Sequence, residues 1–318
     1  MRCRICDNLE NNKMYEAQEM MFGFRDKFTY FQCSKCGCLQ ILEIPSDMSK
    51  YYPSNYSSYL PLSNQSINPI YKFLKKFRDN YAVFNKGVIG KLFYTIFPNE
   101  TLRNLSRVHL SINSSILDVG CGTGSLLYVL REIGFKHLLG IDPYINKDIE
   151  YKNGLKILKK VIHNLGGKWD LIMFHHSFEH IPDPIETLQA VSRLLSKEGA
   201  CLIRIPTVSS YAWEHYGVNW VQLDAPRHSF LHSIESIKLL AKKTDLDLEK
   251  IVYDSTYYQF MGSEQYIKNI PLLHERSYRM NPSNSIFSDV EIKTFKKRAI
   301  KLNLENRGDQ AIFYLRKK

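Results

Sequence analysis

The chain lacks any run of about eighteen apolar residues, so its sequence predicts no transmembrane helix. Its first four residues, M-R-C-R, carry no apolar secretory region, and we therefore expect a cytoplasmic location. The phosphate-binding pattern G-x-x-x-x-G-K-[ST] is also missing, which argues against a P-loop enzyme. Acidic residues are the scarcer charge, 32 against 43 lysines and arginines. With 318 residues and 44% hydrophobic content, the chain is typical of a globular protein with one large domain and additions.

A glycine-rich turn is the most specific feature that is present. Residues 116–124 read I-L-D-V-G-C-G-T-G, and a helical pattern follows from Ser125. This order predicts a buried strand, a tight loop and a helix N-terminus, an arrangement that binds nucleotide-like ligands. Its G-x-G-x-G spacing differs from the dinucleotide fingerprint G-x-G-x-x-G. Asp118, two residues before the first glycine, would repel a pyrophosphate and attract a cationic ligand.

A second acid stands about twenty residues further along, as the ribose-binding acid of such a unit does. The segment L-L-G-I-D at 138–142 predicts a second short strand that ends in Asp142. A carboxylate at that place accepts hydrogen bonds from ribose hydroxyls. The two acids and the glycine turn together favour a nucleoside ligand with a positive charge.

Predicted strands and helices alternate from residue 116 onward. The predicted strands are 116–119, 138–142, 154–158, 170–175, 199–205, a segment near 248–254, and 310–315. The predicted helices are 124–133, 184–196 and 233–243. This order predicts an α/β fold with a doubly wound, mainly parallel sheet. Two insertions interrupt it, at about 206–232 and 255–307.

Three segments resemble class I S-adenosylmethionine-dependent methyltransferases: L-D-V-G-C-G-T-G, G-I-D, and D-L-I-M-F-H-H-S-F-E-H-I-P-D-P at 170–184. The resemblance covers residues 110–255 and the last strand. It implies a Rossmann-like, seven-stranded sheet with an antiparallel last strand, and S-adenosylmethionine as cofactor. It implies that the cofactor is held by Asp118, Gly120, Cys121, Gly122, Gly124, Asp142, Pro143 and His175. Many members bind the adenine amine with an acid near the third strand; 159–163 has none, so we expect backbone contacts there.

Four of the seven cysteines form two C-x-x-C pairs, namely Cys3, Cys6, Cys33 and Cys36. In a reducing compartment such pairs favour metal binding over disulfides. Four thiolates suit a closed structural zinc site, which predicts a zinc-ribbon-like module over residues 1–45. Cys38 is a spare that could replace Cys36. Unpaired reduced thiols are one alternative; a ribbon that binds nucleic acid is another, because aromatic and basic residues alternate in the spacer.

Residues 46–110 are predicted to form a linker and a helical cap, ahead of a methyltransferase domain over 111–318. The tyrosine-rich segment 51–59 is too aromatic for disorder, and we expect its tyrosines to cover a pocket or an interdomain seam. One face of the first cap helix is apolar, formed by Ile70, Phe73, Leu74 and Phe77. We expect this helix to cap the catalytic domain with its basic face in solvent. Peripheral contact with an anionic membrane is the alternative.

The insertion at 206–232 leaves the sheet at the carboxyl end of a parallel strand, where ligands of such sheets bind. We therefore expect it to bind the methyl acceptor through Trp220, Asp224, Arg227 and His232, with Arg227 as the group that binds an anion or carboxylate. A hydroxyl acceptor also needs a base, and histidine has a suitable pKa. The candidate bases are His176, His180 and His228. The alternative for His228 is a buried histidine that fixes the loop through Asp224.

These features predict a methyltransferase for a small molecule or glycan, above all a sugar hydroxyl in surface-polysaccharide or secondary metabolism. The net charge of +11 suits an acceptor linked to a nucleotide or a lipid pyrophosphate. An RNA methyltransferase that grips RNA with its ribbon stays open, although no RNA-binding motif is evident. A cofactor-binding protein without catalysis also stays open, as do the target atom and the oligomeric state.

Overall fold

The structure is a computed structural model that describes residues 1–53, 59 and 68–318. Its strands in chain order are β1 (Lys13–Gln18), β2 (Lys27–Gln32), β3 (Leu39–Ile41), β4 (Ser115–Val119), β5 (His137–Ile141), β6 (Ile149–Glu150), β7 (Lys156–Leu158), β8 (Trp169–His175), β9 (Leu195–Pro206), β10 (Phe230–Leu231), β11 (Leu246–Tyr253) and β12 (Gln310–Lys317). Its helices are α1 (Pro69–Phe84), α2 (Val88–Ile96), α3 (Glu100–Leu105), α4 (Ser125–Glu132), α5 (Pro184–Leu194), α6 (Tyr211–Tyr216), α7 (Ile234–Lys243), α8 (Tyr258–Ile267) and α9 (Asp289–Leu304). None of the helices in the described part of the chain is both long and apolar enough to cross a bilayer.

The main sheet has the order β11-β12-β9-β8-β4-β5-β7-β6 in the described part of the chain. The pairs from β9 to β7 are parallel, while β12 lies antiparallel between β9 and β11. The predicted Rossmann-like architecture and its antiparallel last strand are therefore confirmed. The predicted count of seven strands is wrong by one: β6 adds two residues, too few to show a period in the sequence.

Alternation along the central strands builds one core on each face of this sheet. Leu117 of β4 and Ile172 of β8 belong to one apolar cluster, while their neighbours Ile116 and Leu171 belong to the other. Successive side chains of a strand point to opposite faces. These strands are buried on both faces, which is why they appear in the sequence as unbroken apolar runs.

A second, antiparallel sheet has the order β1-β2-β3-β10. Its last strand comes from the 206–232 insertion, with Phe230 opposite Gln40 and Leu231 opposite Leu39. The N-terminal module and the insertion are therefore one packed unit, which the predicted boundary at residue 45 did not anticipate.

The helical cap consists of α1, α2 and α3. It packs inward through Ala82 and Val83, and Phe84 stacks on Phe135 with ring centroids 5.4 Å apart. The apolar face expected to cap the domain is instead exposed at Ile70, Phe73 and Phe77. The helix was predicted correctly, but it is buried through a different side, at Asp79, Ala82 and Val83.

Candidate functional site

The carboxyl ends of β4, β5 and β8 meet at one edge of the main sheet, because these strands are parallel neighbours. At this edge Gly120, Gly122 and Gly124 have positive φ angles of 72°, 55° and 79°, which other residues rarely adopt. A Cβ at position 120 would lie 2.5 Å from the Ser177 Cβ, so packing also requires this glycine. The Gly120 N–H donates to the Ile141 carbonyl at 2.8 Å, which ties the turn to β5.

Two buried acids flank the turn and differ in how they are satisfied. Asp142 accepts the Gly122 N–H on Oδ2 and the Tyr144 N–H on Oδ1, both at 2.9 Å. Asp118 Oδ1 has no hydrogen-bond partner among the described residues. Burial raises the pKa of Asp118 well above its ordinary value, and Asp142 raises it further. A buried carboxylate oxygen without a donor costs folding free energy when no ligand is bound. It is complementary to a ligand that carries an ammonium group.

Two adjoining cavities open at this edge. The smaller, of about 280 Å³, is lined by Gly120 and Asp142 and continues along 160–163. The larger, of about 1360 Å³, begins at Thr123 and Ser125 beyond the turn. Both cavities are lined by Tyr52, Tyr59, Tyr144, His180 and Pro182. The prediction that the tyrosine-rich segment covers a pocket is thus confirmed for Tyr52 and Tyr59, while 54–58 and 60–67 lie outside the described residues.

Three histidines lie near the end of β8, and their hydrogen bonds decide which ring nitrogen is basic. His176 Nε2 accepts from Arg204 Nη1 at 2.7 Å, so its proton is on Nδ1 and its lone pair is used. His180 Nδ1 lies 2.7 Å from the Arg227 carbonyl oxygen, and His228 Nδ1 lies 2.8 Å from another carbonyl oxygen. A carbonyl only accepts, so in these two rings Nδ1 carries the proton and Nε2 keeps the lone pair.

Glu179 is fully buried among these histidines. Its Oε1 lies 3.6 Å from His176 Nδ1 and 3.9 Å from His228 Nε2, and neither oxygen has a hydrogen-bond partner in the described part of the chain. Burial alone would raise the pKa of Glu179, but His176, His180 and His228 lower it to about 2. Burial lowers the pKa of His228 to about 4, so this ring is neutral at pH 7. The buried carboxylate therefore stabilises positive charge that arrives on a neighbouring imidazole.

A four-cysteine cluster forms at the N-terminus from Cys3, Cys6, Cys33 and Cys36, whose sulfurs all lie within 4.8 Å of one another. Cys3 Sγ is 3.6 Å from Cys36 Sγ, and Cys6 Sγ is 3.5 Å from Cys33 Sγ. Tetrahedral zinc–sulfur bonds would place the sulfurs about 3.8 Å apart. Gln40 Nε2 donates to Cys3 Sγ at 2.9 Å, an outer contact typical of metal-bound thiolates. Cys38 stands outside the cluster, with its sulfur 3.9 Å from His232 Nδ1.

Comparison with known proteins decides the family. A family model described as a methyltransferase domain matches residues 91–251, half of the chain. The chain belongs to the class I S-adenosylmethionine-dependent methyltransferase family. The orphaned Asp118 and the glycine turn fit this cofactor, because its ammonium and sulfonium groups are cationic and it carries no phosphate.

Curated relatives of this methyltransferase match it only in part. The tRNA U34 carboxymethyltransferase of Aliarcobacter butzleri is 29% identical over 115 residues, 31% of this chain and 36% of that protein. The ubiquinone biosynthesis O-methyltransferase of Bordetella avium is 27% identical over 152 residues, 42% of this chain and 61% of that protein. The chain thus spans between about a third and three fifths of the length of these two relatives. Among solved structures, magnesium protoporphyrin IX methyltransferase of Synechocystis PCC 6803 is 11% identical with a TM-score of 0.44, over 85% of this chain and 95% of that one.

The residues predicted to hold the methyl donor lie together in this methyltransferase. Gly120, Asp142 and Pro143 line the smaller cavity, and Cys121 follows in the same turn. His175 ends β8, with neither ring nitrogen hydrogen-bonded among the described residues. Burial lowers the pKa of His175 to about 3, so its ring is neutral. The stretch 160–163 supplies a cavity wall without an acid, in keeping with the expected backbone contacts at the adenine.

Two of the predicted acceptor residues lie in the core. Trp220 and His232 have no exposed surface, and neither lines a cavity described above. Trp220 Nε1 donates to Asp309 Oδ2 at 2.9 Å, while the His232 ring stacks on Phe230 with centroids 5.5 Å apart. These positions favour a packing role over contact with an acceptor, because the insertion folds back onto the N-terminal sheet.

The other two predicted acceptor residues form a buried ion-pair group with the N-terminal module. Arg227 lines the larger cavity, but its Nη2 lies 2.6 Å from Asp224 Oδ1 and 2.9 Å from Glu19 Oε1. Burial alone would lower the pKa of Arg227, and the two carboxylates raise it overall. The predicted free anion site at Arg227 is therefore neutralised from within the chain.

Replacing Arg227 by methionine is expected to lower the free energy of unfolding by about 3–5 kcal/mol, because it leaves two carboxylates buried without their cation. Urea unfolding measures this loss. Arg316→Met is the matched control, since Arg316 pairs with Glu249 at 3.0 Å on the surface and its loss should cost less than about 1 kcal/mol. Equal losses for the two variants would contradict the buried ion-pair group.

Sequence reasoning left several site residues without a role. Glu179 was visible only as the neighbour of His180, and Tyr144 only as a residue soon after Asp142. Arg204 reaches His176 from β9 and also donates to Asp254 Oδ2 at 2.6 Å. No sequence signal links Arg204 to the site, because the contact exists only once β8 and β9 pair.

Proposed function

We propose that this methyltransferase transfers the methyl group of S-adenosylmethionine to a hydroxyl of a small molecule or glycan, above all a sugar carried by a nucleotide or a lipid pyrophosphate. The observation that carries the proposal is the larger cavity and the His180 on its wall. Besides the shared tyrosines, this cavity is lined by Tyr128, Tyr151, Asn146 and Glu150. Tyrosine rings stack on sugar faces, and polar groups among them suit a ligand with many hydroxyls.

Positive charge on the same wall supports an anionic carrier. Lys75, Lys147 and Lys152 line the larger cavity. A phosphate or pyrophosphate on the acceptor would meet these ammonium groups in a partly enclosed site, where screening by water is reduced. With Arg227 already neutralised, these lysines take over the anion-binding role that the sequence suggested for it.

His180 is the residue we assign as general base. It lies on the wall shared by both cavities, and its Nε2 keeps the lone pair because Nδ1 donates to the Arg227 carbonyl. S-adenosylmethionine supplies, when bound, a methyl carbon activated by sulfonium. The acceptor oxygen forms its bond to this carbon as the carbon–sulfur bond breaks and its electron pair passes to sulfur, while His180 Nε2 takes the hydroxyl proton. Glu179 stabilises the imidazolium that results.

His176 and His228 receive positioning roles in this proposal. His176 has its lone pair occupied by Arg204, and His228 lines neither cavity. The His228 ring meets the His180 ring edge-on, with centroids 4.8 Å apart. Together they hold Glu179 and His180 in place.

We propose that the four-cysteine cluster binds a structural zinc ion and that the ribbon supports the active site rather than gripping RNA. Two of its aromatic residues are engaged in contacts within the protein: Tyr30 is fully buried, and Tyr15 packs edge-on against Trp213 with centroids 5.0 Å apart. These two rings are not available as a stacking platform for bases, which leaves Phe24, 41% exposed, as the aromatic residue of the spacer most open to solvent.

The acceptor class is tested by incubating the protein with methyl-labelled S-adenosylmethionine and a panel of acceptors. We expect label in nucleotide- or lipid-pyrophosphate-linked sugars, with little in the matching uncharged sugars because those lack a partner for the three lysines. Equal labelling of the uncharged sugars would contradict the anionic carrier. Labelling of bulk tRNA alone, with binding that weakens steeply as salt rises, would establish an RNA methyltransferase instead.

A further inference from the structure

Helices α1 and α2 form a tightly packed pair, the α1–α2 hairpin (residues 69–96). A Cβ at Gly90 would lie 2.4 Å from the Phe77 carbonyl oxygen, so the two backbones approach closely. Tyr81 and Tyr94 pack with ring centroids 5.7 Å apart, and the Arg103 guanidinium lies 5.8 Å from each ring. These contacts use the inner side of the hairpin and hold it rigidly on the domain.

The outer side of the hairpin is apolar and exposed. On α1 the exposed apolar residues stand at positions i, i+3 and i+7, and they are Ile70, Phe73 and Phe77. On α2 the same spacing recurs, preceded and followed by further exposed apolar residues: Val88, Ile89, Leu92, Ile96 and Phe97. Phe73, Leu92 and Val88 are 60%, 64% and 86% exposed. Eight exposed apolar side chains on or next to two packed helices are more than isolated surface residues, and such a set marks an interaction site.

The hairpin itself carries an excess of positive charge. Residues 68–97 contain five lysines and Arg78, but a single acid, Asp79. Asp79 is buried and paired with Arg78 at 2.7 Å, so it offers no negative charge to a partner. Lys76 on α1, Lys91 on α2 and Lys86 in the turn between them are exposed, and so is Lys72, whose Nζ lies 3.3 Å from Glu132 Oε2 on α4.

We propose that the α1–α2 hairpin docks on an anionic lipid surface, with its apolar side chains in the acyl region and its lysines at the headgroups. Apolar rows flanked by lysines match such a surface in both chemistry and charge. A second copy of the chain fits less well, because a symmetric dimer through this face would bring two sets of like charges together.

Docking would bring the lipid surface next to the acceptor cavity. Lys75 belongs to α1 and lines the larger cavity, so the hairpin forms part of that cavity's wall. A lipid-linked acceptor would then reach the cavity from the surface on which the hairpin rests. This last step depends on the proposed function, whereas the docking itself does not.

Vesicle sedimentation tests the docking with the full chain and no acceptor. We expect the protein to sediment with vesicles of phosphatidylcholine and phosphatidylglycerol, and not with phosphatidylcholine alone. Phe73→Ser combined with Leu92→Ser should weaken binding about tenfold or more, because two side chains that would insert into the acyl region of the bilayer are lost. Ile300→Ser with Leu304→Ser on α9 is the matched control, since these side chains are 62% and 80% exposed and lie outside the hairpin; its binding should equal that of the unmodified protein.

Charge reversal separates the electrostatic part. Lys76→Glu with Lys91→Glu should weaken binding about tenfold or more, while Lys293→Glu with Lys297→Glu on α9 should have a smaller effect. Equal effects of both pairs, or no sedimentation with any vesicle, would overturn the proposal. So would a concentration-dependent dimer that Phe73→Ser with Leu92→Ser abolishes. Binding of S-adenosylmethionine by the serine variants would show that their fold is kept. Vesicle binding without methyl transfer to a lipid-linked acceptor would overturn only the acceptor assignment.

Discussion

We expect His180→Gln to lower kcat of methyl transfer about 10²–10⁴-fold and to leave the affinity for S-adenosylmethionine within about threefold. Glutamine keeps a hydrogen-bonding side chain of similar reach but has no basic nitrogen, so the acceptor hydroxyl loses the group that takes its proton. Single-turnover kinetics with an acceptor from the panel measure kcat, and calorimetry measures cofactor affinity. Glu179→Gln should also lower kcat, because the imidazolium loses its counter-charge.

The control for His180→Gln is His137→Gln, an exposed histidine at the opposite end of the sheet, where β5 begins. His176→Asn and His228→Gln should lose less activity than His180→Gln, since neither residue offers a free lone pair to the cavities. A larger loss of activity for either variant would assign the general base to that histidine instead of His180. Glu179, His180 and His228 also form a possible metal site, since one potential ligand atom from each lies within 4.8 Å of the other two. If activity requires an added divalent cation, this cluster binds metal instead of acting as a base.

If the proposed zinc is bound, we expect Cys33→Ser to remove it, to unfold the N-terminal sheet and to abolish most methyl transfer. Structural zinc contributes about 10 kcal/mol or more to the folding of small four-ligand modules. Here the loss extends to the active site, because the Tyr30 hydroxyl donates to the His228 carbonyl at 2.9 Å and Glu19 pairs with Arg227. Elemental analysis, thermal unfolding and the labelled-methyl assay follow the three effects.

Cys38→Ser is the matched control for the zinc site. Cys38 is as buried as Cys3, Cys33 and Cys36 but lies outside the cluster, so its replacement should leave one zinc per chain. Zinc well below one per chain in the unmodified protein would contradict the site. Loss of zinc from Cys38→Ser and not from a Cys36→Ser variant would show that Cys38 is the true ligand.

Much of the fold could be read from local patterns. The central strands β4 and β8 contain continuous apolar runs, since both of their faces are covered, and the predicted bounds of the strands differ from the observed ones by a few residues. The sequence does not predict β6, because a two-residue strand has no periodicity. The predicted orientation of α1 is wrong for a different reason. Helical periodicity reveals an apolar face but not whether protein, water or lipid covers that face.

The cofactor side of the candidate site could also be predicted from local patterns, whereas the acceptor side could not. Asp118, the glycine turn and Asp142 were recognisable because each needs a particular residue type at a particular place in one strand–turn–helix unit. The acceptor side was harder, since it is assembled from the insertion, the linker tyrosines and the end of β8. An exposed arginine and a buried one look alike in a sequence, and only the partners Glu19 and Asp224 distinguish them at Arg227.

The sequence by itself determined the methyl-donor turn and the four-cysteine cluster, because both depend on short spacings that local backbone geometry translates directly into position. Only the tertiary structure decided that Trp220, Arg227 and His232 are internal, that Arg204 occupies the lone pair of His176, and that apolar side chains of the α1–α2 hairpin are exposed. Each of these depends on which groups pack or hydrogen-bond across distant segments, and burial and proton positions are properties of those contacts.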